Sequence, residues 1–364
     1  MPTVAIACDH LVQRGGAERV VLAMLRAFPG APVYTSVHRP AATYPEFRDA
    51  DVRTTALDRV PPLRRWHRLA FPLMAPAFSA LRIPADVVLV SSAGWAHGVR
   101  TGGATVCYCH SPARWLYQPV DRYTGGASAQ AAVVGAIRGP LLRWDRRAAE
   151  RMDVILTNST TCQRRIREAY DRDAVLLPPP VTIDPGGTQE PVPGVAPGYL
   201  LAVGRMLPYK NVHQVVAAFA ALPHLRLVVV GRGPLLRRIE AVRTANVTVL
   251  PGAPDAQLRW LYANAAGHVT ASYEDFGMTP VEAAAFGRPT AALRFGGFLD
   301  TIVEGETGVL FDEPEPAAIA AAVDRLTGTA WDPARLRAHA ARYDLDAFVG
   351  RLRDVVAAAA AGRA

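Results

Sequence analysis

The chain has 364 residues, half of them hydrophobic, with 29 Gly and 30 Pro. That size and balance suit two globular domains and exclude a disordered or fibrous chain. No run of about 20 apolar residues occurs, which excludes a membrane-spanning helix. A formal net charge of +8 calls for an anionic partner: nucleic acid, anionic lipid or a phosphorylated substrate. No helix-turn-helix, zinc-finger or RNP pattern is visible, so nucleic acid ranks last.

In chain order, residues 3–9 read as a buried strand. Residues 1–7 have no basic segment or cleavage site, so no signal peptide is expected and the chain is placed in the cytoplasm. A Gly-containing loop and a helix over residues 17–28 follow. Short strands are expected at 33–36 and 52–57, and further buried strands at 86–92, 104–110 and 153–157. A helix-prone stretch over 127–152 precedes the last of these. This alternation is a doubly wound α/β pattern. Residues 178–198, rich in Pro and Gly, read as an interdomain linker. The second half repeats the logic, with strands at 199–203, 225–230, 247–250, 268–272, 289–293 and 308–311. The expected domains are therefore 1–184 and 185–344, with a terminal helix over 345–364. Cys8, Cys107, Cys109 and Cys162 lack zinc-ligand spacing and read as reduced thiols, most of them in or beside buried strands. The sequon Asn158-Ser159-Thr160 carries no meaning in a cytoplasmic chain. Residues 59–78 mix four Arg with one His, one Trp and many apolar residues. They read either as a helix covering the first domain or as a contact with an anionic membrane surface. Pro72 and Pro76 argue against one continuous amphipathic helix.

Two segments carry the chemistry. In Glu274-Asp275-Phe276-Gly277-Met278-Thr279-Pro280-Val281-Glu282, two carboxylates lie eight positions apart across a strand-loop-helix junction. Pro280 suits a first helical turn, and Gly287 suits the position just after the helix. The N–H groups of Gly277, Met278 and Thr279 face the crevice, a geometry that favours an anion. Amides for phosphate and carboxylates for hydroxyls together suit a sugar nucleotide. The second segment holds Lys210, the only lysine in a chain with 40 Lys plus Arg. Arg and Lys are not interchangeable where geometry matters. Arg205 and Lys210 flank a strand-to-helix turn and can grip a diphosphate from two sides.

These motifs resemble those of the retaining glycosyltransferases of family 4, which have the GT-B fold. That resemblance implies two Rossmann-like, doubly wound parallel-sheet domains facing a deep cleft, with the terminal helix crossing back to the first domain. It covers nearly the whole chain and is strongest from Tyr199 to Phe311. The closest flavour is that of the WbaZ-like mannosyltransferases, from the residues around Arg205–Lys210 and from Tyr108-Cys109-His110-Ser111-Pro112. By resemblance, His110, Glu274, Arg205 and Lys210 are the catalytic set, with His110 and Glu274 at the donor sugar. Gly15 and Gly16, in Gly15-Gly16-Ala17-Glu18, lie near the donor diphosphate. Gly231, Leu250, Phe276, Gly277, Met278, Thr279 and Glu282 complete the donor site, Glu282 at the ribose, and Arg114 is placed at the acceptor. Asp300 stands where the family commonly has Glu.

The implied reaction moves a hexose, mannose from GDP-mannose, to a hydroxyl of a glycan or polyprenyl-linked acceptor, with retention and with no metal or other cofactor. The Asp-x-Asp triplets at 171–173 and 344–346 lie away from the expected donor site. The implied location is cytoplasmic, with peripheral contact at the inner face of the membrane. Other readings remain open: transfer to a small-molecule natural product, a GT-B sugar-nucleotide 2-epimerase, a phosphorylase using pyridoxal phosphate, or an inactive binding scaffold.

Overall fold

The computed structural model describes residues 2–65, 70–118 and 129–362. Its contacts divide the chain into two compact units. One holds the described residues up to Pro180 together with the helix that begins at Leu345. The other runs from Val181 to Asp344.

The first unit is built on seven parallel strands: β1 (Val4–Cys8), β2 (Val33–Thr35), β3 (Val52–Thr54), β4 (Val87–Ser92), β5 (Ala104–Cys109), β6 (Val154–Thr157) and β7 (Val175–Leu176). Their order is β3-β2-β1-β4-β5-β6-β7. The second unit has β8 (Tyr199–Val203), β9 (Leu227–Val230), β10 (Val247–Leu250), β11 (Ala265–Thr270), β12 (Thr290–Leu293) and β13 (Gly308–Phe311). They too are parallel, in the order β10-β9-β8-β11-β12-β13. In each sheet the chain steps outward on one side and then returns to the other. The reversal falls between β1 and β4 in one sheet and between β8 and β11 in the other. Loops diverge beyond the carboxyl ends of the strands at such a reversal, and that opens a binding crevice.

The central strands are buried on both faces. Every residue of β4, β5, β9 and β12 is buried, as expected where helices cover both sides of a parallel sheet. This is why continuous apolar runs such as Val87-Val88-Leu89-Val90 are legible as strands. Three segments differ from expectation. The run 52–57 leaves the sheet at Thr54 and becomes a 3₁₀ turn, Ala56–Arg59, whose start is capped by the Thr55 hydroxyl. β11 begins at Ala265 and ends at Thr270, three residues earlier at its start than the run 268–272. Ala265, Ala266 and Gly267 have no β-branched signal. A Cβ at Gly267 would meet Leu326 at 2.9 Å, so close packing selects glycine there. β7 was not expected. It is a two-residue edge strand just before Pro178, where a proline-limited edge belongs.

The terminal helix Leu345–Ala361 buries Phe348, Val349, Leu352 and Val356. They pack in one cluster with Ile6, Val20 and Met24 of the first unit. Arg353 Nε donates to the Ala27 carbonyl at 2.9 Å. The Arg26–Asp346 pair is exposed on both sides and adds little beside that apolar burial. The four cysteines form no disulfide and are buried, and burial raises the pKa of Cys8, Cys107 and Cys109, which keeps these thiols protonated. Within 59–78, Pro61–Arg65 and Phe71–Ala80 are helical; residues 66–69 lie outside the described residues. No helix among the described residues is long and apolar enough to cross a membrane.

His268 of β11 is wholly buried, and burial lowers its pKa to about 3. It is therefore neutral in the fold, whereas in the unfolded chain it protonates near pH ~6.5. Its stabilising contribution is complete above that value and is lost as pH falls towards the folded value. At pH 5 the loss amounts to about 2 kcal/mol. Urea unfolding at pH 7 and pH 5 measures it. His268→Leu, which cannot take up the proton, is expected to show a pH dependence smaller by about that amount. His38, His213 and His339 shift in the same direction, so the difference between the variant and the wild type is the quantity to read.

Candidate active site

In the second unit, two loops that leave β8 and β11 are tied together by main-chain contacts. After β8 the chain turns at Gly204 and Arg205 and enters a 3₁₀ turn, Pro208–Lys210. Asn211 follows with φ of 50°, a left-handed conformation that Asn tolerates. Its side chain donates to the Ala271 carbonyl at 2.9 Å. The Tyr273 amide donates to the Tyr209 carbonyl at 2.9 Å, and Ser272 Oγ to the Lys210 carbonyl at 3.3 Å. This stitching places the Lys210 ammonium on the Glu274 carboxylate as an ion pair. The side chains are only 16% and 19% exposed, so water screens the pair less than a surface bridge. Arg205 is exposed, with Nη2 3.4 Å from the Tyr209 hydroxyl. The structure therefore places Arg205, Lys210 and Glu274 in loops at the carboxyl ends of the adjacent central strands β8 and β11.

Glycines shape the next segment. Gly277, the residue before the helix Met278–Ala285, has φ of 87°. A Cβ there would lie 2.4 Å from the Phe298 ring. At Gly296 a Cβ would meet the Glu274 carbonyl at 1.9 Å, and at Gly297 it would meet the Phe276 Cα at 2.2 Å. The Gly296–Gly297 turn thus supports the Glu274–Phe276 backbone by direct main-chain approach. The Phe276 side chain packs inward against Tyr343, with ring centroids 5.7 Å apart, in a cluster with Val281 and Leu336. Its contribution to a ligand would come from its main chain. Gly277, Met278 and Thr279 open the helix, where the first amides have no intrahelical acceptor. The helix ends with Gly287 at φ of 70°. There the Gly287 and Arg288 amides donate to the Ala284 and Ala283 carbonyls, the paired pattern of a left-handed C-terminal cap.

Glu282 lies on that helix and is 7% exposed. Tyr262, from the helix Asp255–Asn264, donates its hydroxyl to Glu282 Oε2 at 2.8 Å. The bond fixes one carboxylate oxygen in a buried place. Gly231 sits where a Cβ would be 1.9 Å from the Gly204 carbonyl, so the turn after β9 lies flat on the turn that carries Arg205. Leu250, at the end of β10, is half-buried, and its carbonyl accepts the Gly231 and Gly252 amides. Asp300 lies in the short helix Phe298–Thr301, and its carbonyl accepts the Tyr343 hydroxyl at 3.1 Å.

In the first unit, His110 leaves β5 half-buried, with Nε2 2.8 Å from Ser91 Oγ. Its carbonyl accepts Asn158 Nδ2 at 3.0 Å and Cys162 Sγ at 3.1 Å. Arg114 is half-buried in the first turn of the helix Arg114–Tyr117. Gly15 precedes the helix Gly16–Ala27, and Glu18 in its first turn is 3% exposed. Asp9, just past β1, accepts the amides of Ala93, Trp95 and Ala96 at 2.7, 3.1 and 2.6 Å. Tyr262 and Asp9 were not among the expected site residues, and Glu18 was named only as the last residue of Gly15-Gly16-Ala17-Glu18. For Asp9 the available signal was its position directly after the first strand, at the edge where the strand order reverses. Among the described residues no group of His, Cys, Asp and Glu could hold a metal ion.

Residues 14–184 match the family model described as Glycosyltransferase Family 4, and residues 191–342 the model described as Glycosyl transferases group 1. Both halves of the chain thus match glycosyltransferase family models. A D-inositol 3-phosphate glycosyltransferase of Acidothermus cellulolyticus is 29% identical over 245 residues, 56% of this chain and 54% of that protein. A glycogen synthase of Mycobacterium tuberculosis is 34% identical over 168 residues, 42% of this chain and 39% of that protein. The chain thus spans about half, or less, of the length of these relatives. Among solved structures, Anabaena HepE in complex with UDP-glucose superposes with a TM-score of 0.71 at 18% identity, over 98% of this chain and 99% of that one. Sucrose-phosphate synthase from Thermosynechococcus elongatus does so with 0.69 at 21%, over 97% of each. These likenesses establish the GT-B fold.

The glycine support under Glu274 is testable. Gly297→Ala is expected to cost about 1–3 kcal/mol in urea unfolding, because a main-chain clash needs a backbone shift. Gly328→Ala, at an open position of the same unit, is expected to change stability by less than about 0.5 kcal/mol. Equal behaviour of the two variants would remove the support role of Gly297.

Proposed function

We propose that this protein is a retaining, metal-independent hexosyltransferase that uses a nucleotide-diphosphate sugar. The observation that carries the reading is the Lys210–Glu274 pair at the carboxyl ends of β8 and β11, with Arg205 on the neighbouring Tyr209 hydroxyl, beside the start of the helix Met278–Ala285. Two cations and the opening amides of a helix suit a diphosphate. A carboxylate beside them suits hydroxyls. In this reading an incoming diphosphate competes for Lys210 and leaves Glu274 to the hexose, while Glu282 takes the ribose. The bond from the anomeric carbon to the departing phosphate oxygen breaks, and the bond to the acceptor oxygen forms on the same face. The acceptor proton passes to that departing oxygen. The site stabilises charge as it develops on the diphosphate, which is the interaction that accelerates such a step. His110 is assigned to the hexose and Arg114 to the acceptor.

The resemblance of the motifs supports mannose from GDP-mannose, with a glycan or polyprenyl-linked hydroxyl as acceptor. A UDP-glucose donor is the second reading, since a solved neighbour of the same fold holds that compound. The net charge and the helices on either side of residues 66–69 support a peripheral contact with an anionic membrane.

The direct test supplies GDP-mannose or UDP-glucose and measures nucleotide release with and without a lipid extract. Release from GDP-mannose that rises at least tenfold with the extract and persists in EDTA is expected. Release with no acceptor dependence, or a turnover that EDTA abolishes and Mg²⁺ restores, would end this reading. Arg205→Ala and Lys210→Ala are each expected to lower kcat/KM about 10- to 100-fold, from charge-assisted contacts worth roughly 1.5–3 kcal/mol. The double variant is expected to lose less than the sum of the two, because both cations hold one diphosphate. Wild-type kcat/KM in either single variant would remove the clamp.

A further inference from the structure

The helix Ala129–Glu150 carries a carboxylate on its core face. Asp145 is fully buried, one turn from Leu141 and Ala149, which belong to the apolar core of the first unit. Its two oxygens serve two different loops. Oδ2 accepts the Tyr117 hydroxyl at 2.8 Å, and Oδ1 lies 2.9 Å from His97 Nε2. The His97 side chain is only 2% exposed. Tyr170 bonds to Asp145 as well. The Tyr117 arm leads to the helix Arg114–Tyr117, which follows β5. The His97 arm leads to the turn after β4. There His97 Nδ1 is 3.0 Å from Ser92 Oγ, which also accepts the Gly94 amide at 3.1 Å. The same turn gives Asp9 the amides of Ala93, Trp95 and Ala96. Other residues of the long helix repeat both contacts. Trp144 packs against the rings of Trp95 and His97, and Arg138 Nη2 donates to the Leu116 carbonyl at 2.7 Å. Trp95 and Trp115 stack with centroids 4.6 Å apart, so the two loops also meet each other.

A carboxylate and an imidazole in such a place are costly to desolvate, and an apolar pair of similar volume would fill it at no loss of stability. What the polar pair adds is direction, because its contacts hold only at one distance and orientation. We infer that Asp145 and His97 are positioning residues, through which the helix Ala129–Glu150 sets the turn after β4 against the loop and helix after β5. The inference rests on the transfer reading above, in which His110 and Arg114 of the second of these segments act on the sugar and the acceptor. Both positioning residues are buried and act through the loops they hold. A misplacement of about 1 Å in such loops costs on the order of 100-fold in rate.

The test compares wild type, Asp145→Asn, His97→Gln and Leu141→Ala. Nucleotide release is followed with a lipid extract and whichever of GDP-mannose and UDP-glucose the wild type turns over. Affinity for the corresponding nucleoside diphosphate is measured by calorimetry, and the Trp95–Trp115 stack by near-ultraviolet circular dichroism. Asp145→Asn is expected to lower kcat about 10- to 100-fold, to keep nucleotide affinity within twofold and to weaken the tryptophan signal while the far-ultraviolet spectrum is unchanged. His97→Gln, whose amide nitrogen can take the place of Nε2, is expected to stay within about fivefold of the wild-type kcat. Leu141→Ala removes apolar burial from the same helix and leaves the pair intact. It is expected to unfold at a lower temperature and, while folded, to keep kcat within twofold. Wild-type kcat and tryptophan signal in Asp145→Asn would overturn the inference. So would an equal loss of kcat in folded Leu141→Ala, which would reduce the pair to general stability. If Asp145→Asn does not fold, Tyr117→Phe, which keeps the carboxylate and removes one arm, decides by the same measurements: a kcat at least fivefold below wild type upholds the inference, and a wild-type kcat overturns it. A wild type that releases nucleotide from neither donor would overturn the transfer reading, and the positioning role with it.

Discussion

Lys210 and Glu274 are separated by 64 residues and meet because the loops leaving β8 and β11 are tied by hydrogen bonds to main-chain carbonyls. β8 and β11 are adjacent in the sheet but not consecutive in the chain, so this junction exists only at the reversal of strand order. Bonds from Asn211, Ser272 and Tyr273 set the two loops in register. The ion pair follows from that register. A cation and a carboxylate that neutralise each other in a half-buried place are less costly to desolvate than either alone. In the proposed reading, an anion and a hydroxyl-bearing ring replace them as partners.

The positions around the pair are held by close approach. Gly296 and Gly297 bring one loop under Glu274 and Phe276, and Gly231 brings another under Gly204. Main chain packed on main chain has no rotamer to adjust, so these contacts are stiff in a way that side-chain packing is not. Phe276 and Tyr343 close the underside with apolar contact. Tyr262 anchors Glu282 from the neighbouring helix. A hydrogen bond to a buried carboxylate is worth roughly 1.5–3 kcal/mol, which makes Glu282 a fixed acceptor.

The two units arrange charge differently at equivalent places. The second gathers cations and helix amides at its strand reversal. The first gathers Asp9 and Glu18 with His10 and His110 at its own. One fold, used twice, therefore carries cations with helix amides at one strand reversal and carboxylates with imidazoles at the other. The topology provides the crevice in both cases, and the side chains at the strand ends decide what it takes.

The sequence by itself determined the alternation of strands and helices, because parallel strands buried on both faces read as unbroken apolar runs and the turns between them carry Gly and Pro. Local chemistry was equally plain at the junctions: Pro280 in a first helical turn, Gly287 after a last one, and a lone Lys210 after a strand. Runs without β-branched residues, such as Ala265–Gly267, were illegible because their strand character comes from close packing against Leu326 and Leu200. Tertiary structure alone decided which charges face one another. Linear spacing cannot say that Tyr262 reaches Glu282, that Phe276 turns into the core, or that Glu18 lies under Gly15. Each of these contacts depends on how loops from separate strands settle against one another, and that is set by three-dimensional packing.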